Sequence, residues 1–332
     1  LVIATGSVPN KFGWPGQDLP GVQGLYSWQD LEHMERDTRG IDRAVIVGGG
    51  LIGVEMAEML RSRNIEVSFL VREGAFWGNI LPEQEAALIT RHIREHHVDL
   101  RPDTELDEIL EGPDGRVRGV RTKGGEEIQC GFVGLTAGVR PNIDWMKESP
   151  DIATDRGVLV NEFLETNVPD IHAIGDCAQF AEHPDPDRKS VEQVWYTGRM
   201  MGETVAMTLT GDRTPYRPGI WFNSAKFFDI EYQTYGWVRS TLQKGMSEHY
   251  WEHPGGRIAV HMVWATGDRT LQGINVFGLR LRHGVLDRWL RERATVDHVV
   301  EHFSKAGFDP EFQTAVTGMV QHSFRSVNRI TA

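Results

Sequence analysis

Apolar runs and amphipathic segments alternate over residues 43–100. Short β-branched runs predict buried strands at 43–47, 66–71 and 98–100, and apolar residues at helical spacing predict helices at 51–63 and 82–96. This β–α–β–α–β order predicts a parallel sheet with right-handed crossovers.

Further elements are predicted on both sides of this alternation. Residues 1–6 form a strand that ends in Thr-Gly, and the Pro- and Gly-rich residues 7–24 form a loop. A helix is predicted at 27–36, with Ser27 as its N-cap and Asp30 where Glu or Gln would complete a capping box. The remaining predictions are an antiparallel meander at 104–129, strands at 132–136, 157–160 and 171–174, and a helix at 195–208.

The pattern changes from residue 213 onward. Strands at 247–252, 257–264 and 270–277 are predicted to form an antiparallel meander, followed by helices at 285–293, 296–305 and 310–324. An α+β domain of this kind accommodates many aromatic side chains in its core. Five of the ten tryptophans lie there: Trp221, Trp237, Trp251, Trp264 and Trp289.

Composition and charge narrow the class of protein. A chain of 332 residues usually forms two or three domains, and 40% hydrophobic with 25% charged residues is ordinary for a globular protein. A net charge of −12 disfavours nucleic acid or an anionic membrane as a partner, and no apolar run is long enough to span a bilayer. Two cysteines cannot form a disulfide framework, so a reducing, cytoplasmic compartment is expected. Since Leu1 already lies in an apolar strand, we expect a piece or processed product of a longer protein.

The glycine run between the first predicted strand and helix has the strongest chemical implication. Gly48 would permit a tight turn, Gly50 would leave room for a pyrophosphate, and Gly53 would let the helix pack close to the strand. Together with Leu51 and Ile52, which open the helix, they form a GxGxxG motif in the strand–turn–helix context of a dinucleotide-binding loop.

The end of the next strand bears on cofactor choice. Val71 occupies the place where NAD-binding proteins carry an acid, and Arg72 follows it. A guanidinium suits the 2′-phosphate of NADPH, whereas Glu73 could hold a ribose. Arg72 as a solvated surface residue is the alternative interpretation, and the sequence favours NADPH only slightly.

Three further motifs carry a resemblance to the FAD-dependent pyridine nucleotide–disulfide oxidoreductases. Ala4-Thr5-Gly6 resembles the family's ATG motif, 135–142 is similar to its GxxPN crossing, and 171–178 resembles its aiGDca motif. The resemblance implies two nucleotide-binding Rossmann-like domains and a C-terminal α+β interface domain. The implied FAD domain is 1–38 with 136–212, the NAD(P) domain 39–135, and the dimerisation domain 213–332.

The resemblance also assigns roles residue by residue. Asp176, with Gly175 before it, would contact the ribityl chain of FAD, and Glu55 and Gly138 would lie near the nicotinamide. Val194 and Trp195 would begin a helix directed at the flavin, whose dipole would stabilise the reduced form. Glu55 as an ordinary half-buried helix carboxylate and Trp195 as a core residue are the alternatives. The cofactor-binding set is therefore Thr5, Gly6, Gly48, Gly50, Leu51, Ile52, Gly53, Glu55, Arg72, Gly138, Gly175, Asp176, Val194 and Trp195.

Two features of the family have no counterpart in this sequence. Its first βαβ unit, with a GxGxxG for FAD and a redox cysteine, has no counterpart in the sequence, so the FAD domain is expected to be incomplete and no catalytic residue is named. Cys177 is expected to be an inert buried thiol, and Cys130 to lie at a strand end. We predict no metal site, because His92, His96 and His97 fit a solvated helix end.

The sequence therefore predicts a flavoprotein reductase. NAD(P)H would pass a hydride to FAD, and electrons would go to a disulfide, a small redox protein, a quinone or oxygen. Similarity of 224–236 to the interface domain favours the coenzyme A-disulfide reductase and NADH oxidase branch and a homodimer. The alternatives are a non-catalytic NAD(P)-binding interaction or sensing module and, less favoured, a dehydrogenase with a single Rossmann domain.

Overall fold

The computed structural model describes residues 1–149, 151–308, 311 and 315–327. Its strands are β1 Val2–Ile3, β2 Ser7–Pro9, β3 Val22–Gln23, β4 Arg43–Val47, β5 Glu66–Leu70, β6 Asp99–Arg101, β7 Leu106–Glu111, β8 Val117–Thr122, β9 Glu127–Gln129, β10 Phe132–Leu135, β11 Val139–Pro141, β12 Val158–Val160, β13 His172–Ala173, β14 Ala178–Phe180, β15 Phe222–Phe227, β16 Ile230–Gly236, β17 Met246–Glu252, β18 Ala259–Ala265 and β19 Leu271–Phe277. Its helices are α1 Trp28–Asp37, α2 Leu51–Ser62, α3 Glu83–Glu95, α4 Trp195–Leu209, α5 His283–Arg291, α6 Val296–Glu301 and α7 Thr317–Val327, with 3-10 turns at Asp144–Glu148, Gly175–Cys177 and Phe303–Ala306. Among these helices, none combines the length and apolarity that crossing a bilayer requires.

Most predicted elements are confirmed to within one or two residues. The capping box at the start of α1 also forms, with Asp30 in the role of the glutamate. The Asp30 N–H donates to Ser27 Oγ at 3.2 Å, and the Ser27 N–H donates to Asp30 Oδ2 at 2.9 Å.

Several predictions need correction. The segment 7–24 contributes two short strands, β2 and β3, because its residues pair with strands that are distant in sequence. The hairpin of β15 and β16 was missed, since its alternation is broken by polar residues on the half-exposed strand β15. The helix predicted at 310–324 lies partly outside the described residues, and its described part begins at Thr317.

The predicted solvated helix end is wrong for two of its three histidines. His92 is 1% exposed and His96 is half-buried, whereas His97 is exposed as expected. The physical reason is that Phe228 and Asp229, from the β15–β16 turn, cover this part of α3.

The described residues form two compact units, which we call the first and the second unit. The first unit comprises 1–12, 24–33 and 135–219. It contains the parallel pairs β1–β13 and β12–β14 and the antiparallel pair β2–β11. Its apolar core includes Ile3, Val158, Phe180 and Met201, and Met201 brings α4 against these strands.

The second unit comprises 13–23, 34–134 and 220–332. A five-stranded sheet in the order β3-β10-β4-β5-β6 forms its nucleotide-fold part, and the pairs β3–β10, β4–β5 and β5–β6 are parallel. Helix α2 packs closely on this sheet, because a Cβ at Gly134 would lie 2.1 Å from the Met56 sulfur. The predicted parallel α/β fold is confirmed.

A second sheet of five antiparallel strands, in the order β15-β16-β19-β18-β17, belongs to the same unit. Its core contains aromatic side chains among aliphatic ones, and core packing is confirmed for Trp251, Trp264 and Trp289. Helices α5, α6 and α7 supply apolar residues to that core. The predicted α+β character of this segment is confirmed.

A buried carboxyl links helix α3 to the antiparallel sheet of the second unit. Glu85, fully buried on α3, accepts a hydrogen bond from Asn275 at 2.8 Å and lies 2.7 Å from His261 Nδ1. Burial is the largest influence on this carboxyl and raises its pKa, while the contacts with His261 and Asn275 oppose the rise. The hydrogen bonds therefore compensate for a carboxyl that would be costly to bury alone.

We expect Glu85→Ala to destabilise the protein markedly, because His261 and Asn275 would each lose a buried partner at about 1–3 kcal/mol per group. Glu85→Gln keeps an acceptor and a donor in place and should cost much less. The folded protein favours the neutral form of Glu85, so the free energy of unfolding should fall as pH rises above 4.5, the ordinary pKa of a glutamate. The wild type should therefore become less stable relative to Glu85→Gln over that range. Urea denaturation followed by tryptophan fluorescence measures these differences, with exposed Glu83→Ala as the control. Equal stability of the Glu85→Ala and Glu83→Ala variants would contradict the account.

Candidate functional site

The turn between β4 and α2 has the backbone that its glycines allow. Gly48 adopts φ +112°, which side-chain-bearing residues rarely adopt, and its N–H donates to Leu70 O at 3.0 Å. The Gly50 N–H donates to Gly48 O at 3.0 Å, so the chain reverses within three residues. Helix α2 then begins at Leu51 with no side-chain cap from Gly50.

Gly49 proves to be a packing requirement that the sequence argument did not use. A Cβ at this position would lie 2.9 Å from Cγ1 of Val71, the residue that follows β5. Strands β4 and β5 are in register, with Val47 opposite Leu70, so the glycine turn and Val71 lie at the same sheet edge. The glycine turn and Val71 thus lie together at the carboxyl ends of parallel strands, which is where dinucleotide-binding crevices form.

The first N–H groups of α2 are the chemical resource of this edge. Leu51 and Ile52 are the first two helical residues, and N–H groups in these positions have no acceptor within the helix. The aligned peptide dipoles add partial positive charge there. This end of α2 is therefore suited to bind a phosphate group.

Arg72 lies beside the glycine turn but is already paired. Its side chain is 73% exposed, and Nη2 lies 3.0 Å from Oε1 of Glu73. The exposed guanidinium is accessible to an anionic ligand, and Glu73 is the group with which a phosphate would compete.

The side chain of Glu55 is exposed on α2, although the surrounding protein partly removes its carboxyl from water. This desolvation is the main cause that raises the pKa of the carboxyl. The neighbouring Glu58 adds to the rise and Lys226 opposes it.

In the first unit, the structure brings the ATG and PN motifs together. Thr5 Oγ1 donates to Asn142 O at 2.8 Å, and the Asn142 N–H donates to Gly6 O at 2.9 Å. Gly6 has φ +67°, and a Cβ there would lie 2.7 Å from the Tyr26 hydroxyl oxygen. Both the backbone conformation and the available space therefore require glycine at position 6.

A polar cluster surrounds the carboxylate of Asp176. Ser7 Oγ and the Tyr26 hydroxyl donate to Asp176 Oδ2 at 3.0 and 3.2 Å, and Gln193 Nε2 donates to Ser7 Oγ at 2.8 Å. Burial is the largest influence on Tyr26 and raises the pKa of its hydroxyl; the Ser7 N–H opposes this rise, and the Asp176 charge adds to it. Next to the cluster, a Cβ at Gly175 would meet no atom within 4 Å. The cluster therefore borders open space.

Helix α4 begins at Trp195, as predicted, two residues after Gln193 of this cluster. Val194 is its N-cap residue and supplies no side-chain cap, and the first turn contains no acidic residue. Trp195 is 69% exposed, so the interpretation of this residue as part of the core is wrong. Gly138 lies nearby in the same unit with φ +82°, and its carbonyl accepts from the Asn10 N–H at 3.1 Å.

A buried ionic network fixes the segment that leads into α4. Glu192 accepts hydrogen bonds from Arg188 at 2.9 Å and from the Tyr216 hydroxyl at 3.0 Å, and His183 Nε2 lies 3.3 Å away. Burial is the largest single influence and would raise the pKa of Glu192, but these partners together lower it. The charged carboxylate of Glu192 therefore fixes the backbone next to Gln193.

Neither cysteine is suited to redox chemistry. Cys130 is buried just after β9, and burial raises the pKa of its thiol to about 12. Cys177 is completely buried, and its sulfur lies 3.3 Å from Ile174 O. A thiolate is the reactive form, so the raised pKa of Cys130 disfavours reaction, and Cys177 is buried as expected.

The predicted site residues fall into two sets, one in each unit. The set in the first unit also gains three residues that were not predicted from the sequence, namely Ser7, Tyr26 and Gln193. Ser7 and Gln193 directly adjoin predicted residues, whereas nothing in the sequence marks Tyr26. The first unit holds Thr5, Gly6, Gly138, Gly175, Asp176, Val194 and Trp195, and the second holds Gly48, Gly50, Leu51, Ile52, Gly53, Glu55 and Arg72.

Comparison with known proteins extends over most of the chain. Residues 1–202 match the family model described as pyridine nucleotide-disulphide oxidoreductase. Rhodocoxin reductase of Rhodococcus erythropolis is 29% identical over 229 residues, which cover 68% of this chain and 52% of that protein. The ferredoxin–NAD(+) reductase component of the p-cumate 2,3-dioxygenase system of Pseudomonas putida is 30% identical over 222 residues, covering 67% of this chain and 53% of that protein. The chain thus spans about half the length of these two curated relatives.

Solved structures show the same fold. A NAD-dependent persulfide reductase from A. fulgidus superimposes with a TM-score of 0.82 at 22% identity, covering 99% of this chain and 63% of that one. A water-forming NADH oxidase from Lactobacillus brevis gives a TM-score of 0.78 at 17% identity, covering 98% and 75%. With the glycine turn, the Asp176 motif and the family model in agreement, the chain belongs to the pyridine nucleotide-disulphide oxidoreductase family.

Proposed function

We propose that this chain is part of an FAD-dependent oxidoreductase that takes electrons from NAD(P)H. The observation that carries the proposal is the uncapped start of α2 behind a glycine turn at the carboxyl edge of a parallel sheet. FAD and NAD(P)H are the cofactors of the family to which the chain belongs.

The second unit fits the dinucleotide. The N–H groups of Leu51 and Ile52 would hold the pyrophosphate, and Gly50 would leave room for its close approach. Gly53 would keep α2 close to the sheet, and Arg72 would contact the adenosine ribose or its 2′-phosphate.

The first unit fits the flavin half of FAD. Hydroxyl and carboxylate groups on Ser7, Tyr26 and Asp176 form a set that suits the hydroxyls of a ribityl chain. The start of α4 at Val194 and Trp195 would direct partial positive charge at the flavin ring. Thr5 and Gly6, between β1 and β2, would support this site through their bonds to Asn142.

When bound, FAD supplies the chemistry, because it accepts a hydride from NAD(P)H and releases electrons to an acceptor. The role of this chain is to orient the two cofactors and to stabilise charge. Glu55 and Gly138 are the residues proposed to lie near the nicotinamide, and the raised pKa of Glu55 favours its neutral form more than in an ordinary glutamate.

A small redox protein is the acceptor that we favour. Two curated relatives carry names of that kind, a rhodocoxin reductase and a ferredoxin reductase component. Cys130 and Cys177 are both buried, free thiols. Their buried, unpaired state also agrees with a reducing compartment such as the cytoplasm.

We further propose a homodimer formed through the segment 213–332. The support is the similarity of 224–236 to the family's interface domain.

Purified protein should show the visible absorption of oxidised flavin, and anaerobic NAD(P)H should bleach it. Asp176→Ala should weaken FAD binding about tenfold or more, since a hydrogen bond to a charged group is worth about 1.5–3 kcal/mol. Glu182→Ala, an exposed carboxylate of the same unit, is the control. A colourless protein that binds NAD(P)H without turnover would instead support the sensing module and overturn the enzyme.

Gly50→Ala should raise the Kd for NAD(P)H by about tenfold or more, because a methyl group would block the approach of the pyrophosphate. The backbone of Gly50 has φ −102°, which alanine adopts without strain, so folding and flavin content should stay unchanged. Gly267→Ala adds the same methyl group in open space and serves as the control. Fluorescence titration with NAD(P)H measures the effect, and equal affinities of the two variants would place the nucleotide elsewhere.

Arg72→Ala should raise the KM for NADPH by about tenfold while changing the KM for NADH much less, because only NADPH carries the 2′-phosphate. Arg94→Ala, an exposed arginine on α3, is the matched control. Steady-state kinetics with both nucleotides provide the comparison. Equal changes for NADPH and NADH would show that Arg72 does not contact the 2′-phosphate.

A further inference from the structure

Two histidines at the end of α3 converge on one carboxylate, which lies in the turn between β15 and β16 of the antiparallel sheet. His92 and His96 are four residues apart, a spacing that puts both rings on the same helix face. His92 Nε2 lies 2.6 Å and His96 Nε2 2.9 Å from Oδ1 of Asp229, and the three donor atoms all lie within 4.8 Å of one another.

The surroundings hold these rings in place. The two imidazoles lie 4.6 Å apart at 79°, so they approach the carboxylate from different directions. The His96 ring stacks on Phe228 at 4.3 Å and 11°. Phe228 has φ +55°, and it precedes Asp229 in the tight turn between β15 and β16.

A simple histidine–aspartate pair does not account for His92. Its ring is almost completely buried, and neither ring nitrogen makes a hydrogen bond with acceptable geometry among the described residues. A buried imidazole nitrogen at 2.6 Å from a carboxylate oxygen, without a shared proton in line, is an unfavourable arrangement that a cation between them would relieve.

The donor set identifies the class of cation. Two imidazoles and one carboxylate suit Zn²⁺, which takes three protein ligands and a water in open tetrahedral sites. Tetrahedral Zn²⁺ with ligands at about 2.0–2.2 Å places its donor atoms about 3.3 Å apart. The distances from Asp229 Oδ1 to the two imidazole nitrogens, 2.6 and 2.9 Å, therefore need to lengthen by about 0.4–0.7 Å.

Two neighbouring charges complete the site. Glu95 Oε2 lies 3.6 Å from Nδ1 of His92, where a carboxylate can orient a metal-bound imidazole. Arg257 Nη1 lies 2.7 Å from Oδ2 of Asp229, so it occupies the other carboxylate oxygen and leaves Oδ1 for the ion. Its positive charge also weakens binding compared with a site that lacks such a neighbour.

We propose that His92, His96 and Asp229 form a Zn²⁺ site that fastens α3 to the β15–β16 turn. Because the ion would bind the folded chain and not the unfolded one, it would add to stability in proportion to its free concentration. This site is independent of the proposed flavin and nucleotide chemistry.

The test uses the tag-free full chain, dialysed against a chelator and titrated with Zn²⁺ in competition with a chromophoric chelator. One Zn²⁺ per chain is expected, and His96→Gln and Asp229→Asn should each weaken binding on the order of 100-fold. The matched control is His97→Gln, an exposed histidine at the same helix end. These positions are chosen because His96 and Asp229 are partly exposed and less critical for folding than His92.

Thermal unfolding provides an independent readout. Zn²⁺ should raise the melting temperature of the wild type and of His97→Gln but not of the two ligand variants, whose far-UV circular dichroism should match the wild type. The proposal would be overturned by a wild type that binds no Zn²⁺. It would equally be overturned if His96→Gln and Asp229→Asn bound as tightly as His97→Gln, since binding would then be adventitious.

Discussion

The turn between β4 and α2 is the constraint on which the rest of the structure depends. Gly48 takes a conformation closed to most residues, and Gly49 leaves no room for a side chain against Val71. These two restrictions let β4 end and α2 begin within three residues, at the edge where β5 also ends. The start of α2 therefore faces the tip of the neighbouring strand, which is where a dinucleotide needs both its phosphate and its ribose contacts.

Helix α3 makes several polar contacts to the antiparallel sheet of the second unit. The buried Glu85 contacts His261 and Asn275 of the antiparallel sheet, and His92 and His96 contact Asp229 at its hairpin turn. Buried polar contacts of this kind require precise partners, because an unpaired member is costly. Helix α3 is thus both a crossover of the nucleotide fold and a polar attachment for the segment that follows it.

Local patterns predicted the elements well and the long-range pairing poorly. Strand β4 and helix α2 followed from the apolar runs and the glycine turn, because their cause lies within a few residues. Strand β3 could not be predicted, since two residues become a strand only by pairing with β10. His92 was misjudged for the same reason: the residues that bury it, Phe228 and Asp229, follow more than 130 positions later.

The candidate site shows the same division. Asp176 and the glycine loop were found because motifs mark them, and Ser7 and Gln193 lie beside motif residues. Tyr26 has no such marker, and only the folded chain shows its hydroxyl beside both Gly6 and Asp176. Its role depends on the close approach of β2 and the segment before α1, which no local pattern encodes.

The most direct measurement is a crystal structure of the protein with NADP⁺ bound. The account predicts pyrophosphate oxygens at hydrogen-bond distance, about 2.7–3.2 Å, from the backbone nitrogens of Leu51 and Ile52. Density for the nucleotide elsewhere, or side chains of the protein filling the space in front of the glycine turn, would contradict it.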